Sequence, residues 1–556
     1  MKPWQAVVVV CVSLIPSAHN AWLYRDQPHL GRHDDGFYFT AARSLTQGEY
    51  RIESLPGRPF QTKYPPGFPL YLAPVWLMNP EFPGNLALAT LFAWLPLPVV
   101  VWLCWHLFRR YGFSVKAATA LACLVAVNPY SLILSSMMMS ELVFTAVLLG
   151  VVLLVDGEGG QRRAAAAGML AAFGYLTRTA ALPLLAAAPL VYLLRYGVRG
   201  GLRRAACFAG PFLMAAGGWH AWVAAHRGDG RFPYDTDYLG YFLANIGLDN
   251  ILPVAWQNAS ALLMSFYGLF FFEVGAVVLL HLLLRFVAFA AVAGVIRQAR
   301  RGGLSVYTVF AGGTCVMLVL WHFPPTERMV YPLLPLLMAG LAAEVRFLWT
   351  TLRAALSKPS VAERAIAACL LAGIVGVSLY MASRTAVAAL RLLPEGAAAE
   401  REWARDRREL FAWAAGNIRT TAGFQVYRDT EFHLLTGLPA ARMHVPTRLR
   451  YAGEREAVID SFAGWPLAAQ RDGLTHALVT KEEWNADLLP EERDRVLGQS
   501  LNSRLLRPLH TGKDSWVFAI GEDGDAPAGS ASLSLKSTAG VGRTSDIASG
   551  RRAGLR

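Results

Sequence analysis

The stretch LVFTAVLLGVVLLV, residues 142–155, contains no charged side chain and no proline, and it lies between Ser140-Glu141 and Asp156. One such run could sit in the core of a soluble domain. Here the pattern recurs, with further apolar runs at 117–127 and 164–194, too many for one globular core. In lipid, every backbone polar group must be satisfied within its own segment, so these runs are predicted to be helices. The 556-residue chain agrees, with 54% hydrophobic residues, 16% charged residues and a mean hydropathy of +0.35. A soluble domain carries about 25% charged residues.

Working outward from 142–155 predicts about eleven transmembrane helices. Their expected positions are 4–23, 86–108, 117–135, 137–155, 164–180, 182–196, 205–225, 276–296, 304–321, 332–350 and 364–385. The clusters Arg109/Arg110/Lys116, Arg162/Arg163, Arg195/Arg199/Arg203/Arg204, Arg297/Arg300/Arg301 and Arg346/Arg353/Lys358/Arg364 then all fall on one side. The positive-inside rule makes that side the cytoplasm. The N-terminus is then cytoplasmic, while the long loop 24–85 and the C-terminal domain lie outside. The net charge of +13 is accounted for by these loops, and no basic face with interleaved aromatics suggests nucleic-acid binding.

Two places stay open. The stretch 259–284 is apolar but broken by Glu273, so it spans, re-enters or lies on the membrane. Residues 1–20 resemble a signal peptide, yet no small-x-small cleavage site follows and a retained first span is the expectation. The six cysteines, Cys11, Cys104, Cys123, Cys207, Cys315 and Cys369, all lie in apolar runs without CxxC spacing, so neither disulfides nor structural zinc are expected.

The expected transmembrane module covers 1–385. From 386 to 521 the composition turns soluble, with an amphipathic helix at 400–418, helices near 454–471 and 482–498, and short strands at 423–428, 476–480 and 516–520. Together these predict a small α/β domain. Residues 522–556, rich in Gly, Ser and Ala without periodicity, are expected to be a disordered tail.

Ionisable residues at the outer boundary are the candidate functional groups. The first loop holds His33-Asp34-Asp35-Gly36-Phe37-Tyr38, in which adjacent carboxylates either place a base at a cavity mouth or cap an exposed helix. Lys63-Tyr64-Pro65-Pro66-Gly67 follows. There, a lysine before a rigid turn either meets a lipid phosphate or snorkels at the boundary. Glu141, Arg178 and Arg328 map to the same leaflet. Such groups are costly there unless paired, hydrated or used on a ligand, and a ligand with an anionic head would account for all of them.

The ordered set of motifs resembles the GT-C class of membrane glycosyltransferases, which includes protein O-mannosyltransferases and lipid A aminoarabinose transferases. Asp34-Asp35-x-x-Tyr38 with Ala41-Ala42-Arg43-Ser44-Leu45 is similar to that class's first-loop motif, an acidic pair, a spaced tyrosine and a small-residue helix. Lys63-x-Pro65-Pro66-Gly67 resembles its lysine before a proline pair. Ser140-Glu141, Leu176-Thr177-Arg178 and Glu327-Arg328 before Tyr331-Pro332-Leu333-Leu334-Pro335 resemble its later acidic and basic steps. The segment His433-Leu434-Leu435-Thr436-Gly437 resembles part of the extracytoplasmic domain that many bacterial members carry. Asp35 departs from the pattern, since several members have Glu there, and the inserted lumenal repeats of the eukaryotic mannosyltransferases have no counterpart.

The resemblance implies a polytopic helical fold in a bacterial plasma membrane and sugar transfer from a polyprenyl-phosphate donor to an extracytoplasmic glycan, lipid or protein. It implies Asp34 as the general base, with Asp35 and Glu141 as supporting acids. Lys63, Arg178 and Arg328 would meet the donor phosphate, beside Tyr38, Tyr64, Pro65 and Pro66. Inversion at the anomeric carbon is expected. No His/Asp cluster suggests a metal site, and no cofactor is required, although a loosely bound divalent cation is compatible with the scheme. The competing readings are a transporter, which lacks support from internal repeats or paired broken helices, and a non-catalytic scaffold with an external binding domain.

Overall fold

The computed structural model describes residues 2–521 apart from 33, 229, 273–277, 358–359, 481–482, 485–487, 503 and 513–514. The expected tail at 522–556, and Glu273 in the open stretch, lie outside the described residues. Up to residue 417 the described chain is helices and their connections, with one isolated bridge between Arg51 and Phe60; the sheet follows.

By length and composition, four described helices suit a membrane crossing: Trp4–Leu23, Leu86–Arg110, Thr179–Ala225 and Glu327–Ala354. Four shorter apolar helices accompany them, Gly67–Met78, Val115–Ala126, Glu141–Val155 and Val306–Val319. The chain is thus a helical membrane bundle, while length and composition alone do not yield the expected eleven spans. Proline and glycine account for part of the difference. Asn128-Pro129 splits the expected span 117–135 into Val115–Ala126 and Pro129–Leu134, and the Asn128 side chain caps the second piece by accepting from Tyr130 N. Gly197, at φ +65°, breaks Leu184–Ala225, and the chain folds back so closely that a Cβ at Gly201 would lie 2.7 Å from Leu193 Cα. Glycine takes that left-handed conformation without a steric cost.

The open stretch resolves differently from its expected limits. One 20-residue helix runs Ile251–Phe270, and the next begins at Val278. The first loop is also more ordered than a loop. Its helices Asp35–Thr46 and Gly67–Met78 pack on each other, with the Phe39 and Trp76 rings 4.5 Å apart and Trp76 Nε1 donating to Phe39 O at 2.9 Å.

The helix Glu141–Val155 gives the bundle two chemically distinct ends. At its C-terminal end, Asp156 Oδ1 accepts from Arg195 Nη2 at 2.8 Å and Val306 N at 3.1 Å, and Arg110 donates to the Asp156 carbonyl. Residues at or beside four connections expected on one side of the membrane therefore meet there. At 1.5 Å per residue, Glu141 lies roughly 22 Å away at the other end.

The helix Leu393–Asn417 leads into the C-terminal domain. Its sheet consists of β1 (Phe424–Val426), β2 (Ala440–Ala441), β3 (His476–Thr480), β4 (Leu506–Thr511) and β5 (Ser515–Ile520), in the order β2-β1-β3-β5-β4. β1 pairs parallel with β2 and β3, whereas β5 runs antiparallel to β3 and β4. Three of these strands match the expected ones. β2, at two residues, is too short to show a pattern, and Pro508 hides β4, which tolerates proline because it lies at the sheet edge beside a bulge. The helix expected at 454–471 is two, Arg455–Ala463 and Trp465–Arg471, divided at Gly464.

Within the bundle, Gln161–Thr177 approaches 205–225 at backbone contact. A Cβ at Gly168 would overlap Phe208 O and come within 2.8 Å of Phe208 Cα. Small residues permit such approaches between membrane helices. Gly168→Val should lower stability by about 1–3 kcal/mol through overpacking. The check is thermal unfolding of detergent-solubilised protein, where an unchanged midpoint would place the two helices farther apart.

Candidate active site

The candidate site is built at the Glu141 end of the bundle, where four chain segments bring charges together. Ser140 precedes the helix Glu141–Val155, and Glu141 occupies its first turn, a position that the helix dipole favours for an anion. Its side chain has 0% exposure. Arg178, at the non-helical junction after Gln161–Thr177, places Nη1 2.8 Å from Glu141 Oε1 and donates to Ser140 Oγ at 3.0 Å. Arg328, in the short helix Glu327–Val330, places Nε 3.2 Å from the same Glu141 oxygen and Nη2 3.0 Å from Asp34 Oδ2. The result is an alternating chain of charges, Asp34–Arg328–Glu141–Arg178.

Asp34 stands at the N-cap of Asp35–Thr46, yet its side chain makes no capping hydrogen bond. Tyr64 Oη donates to its Oδ1 at 2.7 Å. Burial, with the Asp34 charge adding to it, holds the Tyr64 phenol well above its usual range and so keeps it a donor. Of the two acids in the ion network, Asp34 is the accessible one, at 27% exposure. Tyr38 packs against Tyr64 with ring centroids 4.8 Å apart, and its hydroxyl lies 3.3 Å from Ser140 Oγ.

The structure thus brings Asp34, Glu141, Arg178, Arg328, Tyr38 and Tyr64 together. Asp35, expected as a supporting acid, faces another way. Successive helical residues point about 100° apart, so when Asp34 faces Arg328 its neighbour turns away. Asp35 is buried instead against His29, whose Nδ1 is 3.4 Å from its Oδ2.

Lys63 is placed next to the cluster and not inside it. Its Nζ is 2.9 Å from Asp235 Oδ1, both side chains are 4% exposed, and the ammonium lies 3.3 Å from the Tyr234 ring centroid. A snorkelling lysine is therefore not what the structure contains. Burial alone would raise the Asp235 pKa, but the Lys63 ammonium and His444, whose Nε2 is 3.5 Å from Oδ2, hold it below the ordinary carboxylate range. Pro65 and Pro66 lead into Gly67, where a Cβ would lie 2.6 Å from Leu176 C and 2.7 Å from Thr177 N. The turn thereby packs directly on the backbone that carries Arg178. Asp235, Tyr234 and His444 were not foreseen. The only sequence signal was Pro233-Tyr234-Asp235 in a connection, which does not differ from a solvated loop. Among the described residues, no three His, Cys, Asp or Glu side chains gather as a metal site.

No protein-family model matches the chain, and no curated protein matches it. Two crystal structures of ArnT from Cupriavidus metallidurans do. The one bound to undecaprenyl phosphate has a TM-score of 0.54 and 14% identity over 93% of this chain and 98% of that one. The apo form has a TM-score of 0.53 and 14% identity over 93% and 97%. The chain therefore has an ArnT-like fold along almost its whole length, as the motif resemblance implied.

Glu141→Gln should destabilise the protein by about 3–5 kcal/mol, the usual effect of removing one partner from a buried ion pair. Unfolding in detergent checks this, and a change below about 1 kcal/mol would mean the pair is solvated. Asp235 gives a pH test. Its pKa is depressed in the folded state, so its contribution is fully present above the ordinary carboxylate value of about 4 and is lost as pH falls through the folded value. Asp235→Asn should melt below the parent near neutrality, with the gap narrowing on acidification. A gap that widens in acid would contradict the pairing with Lys63.

Proposed function

We propose that the chain transfers a sugar from a polyprenyl-phosphate donor to an extracytoplasmic acceptor. The observation that carries this reading is the Asp34–Arg328–Glu141–Arg178 cluster at one end of an ArnT-like membrane bundle. In this reading the polyprenyl chain lies in the lipid, and the phosphate meets Arg328 and Arg178 with Lys63 close by. The positive-inside rule puts this end and the C-terminal domain outside a bacterial plasma membrane, with the N-terminus in the cytoplasm.

The acceptor oxygen attacks the anomeric carbon while the bond from that carbon to the phosphate oxygen breaks. The bonding electrons leave with the polyprenyl phosphate, and the acceptor proton passes to Asp34. One displacement inverts the anomeric centre. The arginines stabilise the charge that grows on the phosphate, a term that is large where water is excluded. A phosphate leaving group needs no strong acid, so the scheme assigns proton transfer to Asp34 alone and gives Glu141 the task of holding both guanidinium groups. No metal or organic cofactor has a step in this scheme.

The arrangement also suggests how Asp34 is released for this work. In the resting site its Oδ2 is paired with Arg328 and its Oδ1 accepts from Tyr64. Both carboxylate oxygens that could take the acceptor proton are thus engaged. A donor phosphate competing for Arg328 would free one of them as the donor binds.

The test uses purified protein in lipid, a panel of radiolabelled polyprenyl-phosphate sugars and a membrane extract as acceptor. Asp34→Asn should lower transfer about 100-fold or more while donor binding is retained, the loss typical of a general base. Transfer that survives this substitution would keep the activity and remove Asp34 as its base. Absence of both donor binding and transfer across the panel in the parent would remove the proposed function.

A further inference from the structure

The segment before Asp34 is held from the C-terminal domain by three arginines, and nothing in the transfer scheme uses them. Arg407 Nη2 donates to Pro28 O at 3.0 Å. Arg428 Nη1 lies 3.3 Å from both Pro28 O and Leu30 O. Arg442 Nη2 donates to Gly31 O at 2.6 Å, and its Nη1 lies 3.4 Å from Arg32 O. Each guanidinium also has a carboxylate partner from residues 393–442: Glu431 for Arg407 at 3.2 Å, Glu400 for Arg428 at 3.0 Å and Asp429 for Arg442 at 3.0 Å. Glu400 in turn pairs with Arg32 of the loop at 2.5 Å.

We infer that this arginine comb makes the C-terminal domain part of the active site, with Arg407, Arg428 and Arg442 as positioning residues that fix Asp34 relative to Arg328. The inference rests on the transferase reading for its catalytic consequence.

Three observations support it. First, Arg407 and Arg428 are almost fully buried. Buried ion pairs add little stability compared with an apolar core, so their presence is better explained by the specific conformation they impose. Second, the segment is irregular: Gln27 and Gly31 have positive φ, so the carbonyls at 28, 30, 31 and 32 need partners from elsewhere. Third, contact continues into the helix that Asp34 opens. A Cβ at Gly36 would overlap Thr430 Oγ1, and one at Gly31 would lie 2.9 Å from the same atom. The domain therefore sets where the helix begins. A displacement of about 1 Å at a reacting group can lower a rate about 100-fold, so loosening this contact should act on turnover before it acts on donor affinity.

The experiment compares the full-length parent and Arg442→Lys in lipid nanodiscs. Lysine keeps the charge and loses the fork that reaches two carbonyls and a carboxylate at once. Amide exchange over 28–38 should rise at least about tenfold, with Glu141–Val155 unchanged, and kcat for sugar transfer should fall about tenfold or more with the donor KM within about twofold. Unchanged exchange over 28–38, or an unchanged kcat, overturns the inference. A kcat loss matched by an equal loss of folded protein also overturns it.

If Arg442→Lys does not yield folded protein, the contact is tested from the other side. Gly36→Ala drives a methyl group into Thr430 and should reduce kcat, while adding Thr430→Gly should restore it; failure of that rescue overturns the inference. A parent without transfer activity defeats the proposed function alone, and amide exchange then decides whether the comb holds the loop.

Discussion

A carboxylate with no solvent exposure has to be neutralised where it stands, and Glu141 is such a carboxylate. Its position is fixed by the helix it opens, so the two guanidinium groups must come to it. Arg178 arrives from the junction after Gln161–Thr177, and Arg328 from the short helix Glu327–Val330 much later in the chain. Arg328 has a second partner, and the distances of 3.2 Å to Glu141 and 3.0 Å to Asp34 bind the first loop to the same point. Two acids and two bases leave the chain of charges neutral overall. The close approach at Gly67 follows from the same requirement, because the turn carrying Tyr64 has to reach Asp34 across the backbone that supports Arg178.

Hydropathy made the bundle legible, since a membrane segment declares itself by what it lacks. The charges at the ends of the apolar segments were legible for the related reason that ionisable groups near lipid are rare enough to stand out. Four of them, Asp34, Glu141, Arg178 and Arg328, do converge. Pairings were not legible. Whether Asp34 or Asp35 faces the cluster depends on the helix phase at its first residue, which periodicity cannot fix to one position. Lys63 finds Asp235 172 residues away in a connection whose composition is ordinary. The limits of the helices were the least legible part, because Asn128, Gly197 and Gly464 act through caps and left-handed backbone at single positions.

The composition shift after residue 385 suggested a small soluble α/β domain, and the five-stranded sheet lies in that part of the chain. Its contacts are a different matter. The groups it presents to the first loop are arginine side chains, and the groups they meet are backbone carbonyls. A carbonyl has no letter in a sequence, so no pattern of residues at 28–32 could announce the contact. The carboxylates that balance those arginines lie at 400, 429 and 431, where they read as part of an ordinary charged surface.

Fold and identity part company here for a physical reason. The likeness to ArnT extends over 93% of the chain at 14% identity. Lipid-facing and helix-packing positions ask only for apolarity and volume, so Leu, Val, Ala and Phe can replace one another widely without changing where a helix lies. With 54% of its residues hydrophobic, this chain has most of its length in positions of that permissive kind. The few positions with no substitute in kind are those where a charge must be matched inside the boundary, or where two backbones touch. Glu141, Arg178 and Arg328 belong to the first group, and Gly67 and Gly168 to the second. A short ordered list of charges and tight glycines therefore says more about this fold than the apolar sequence around it.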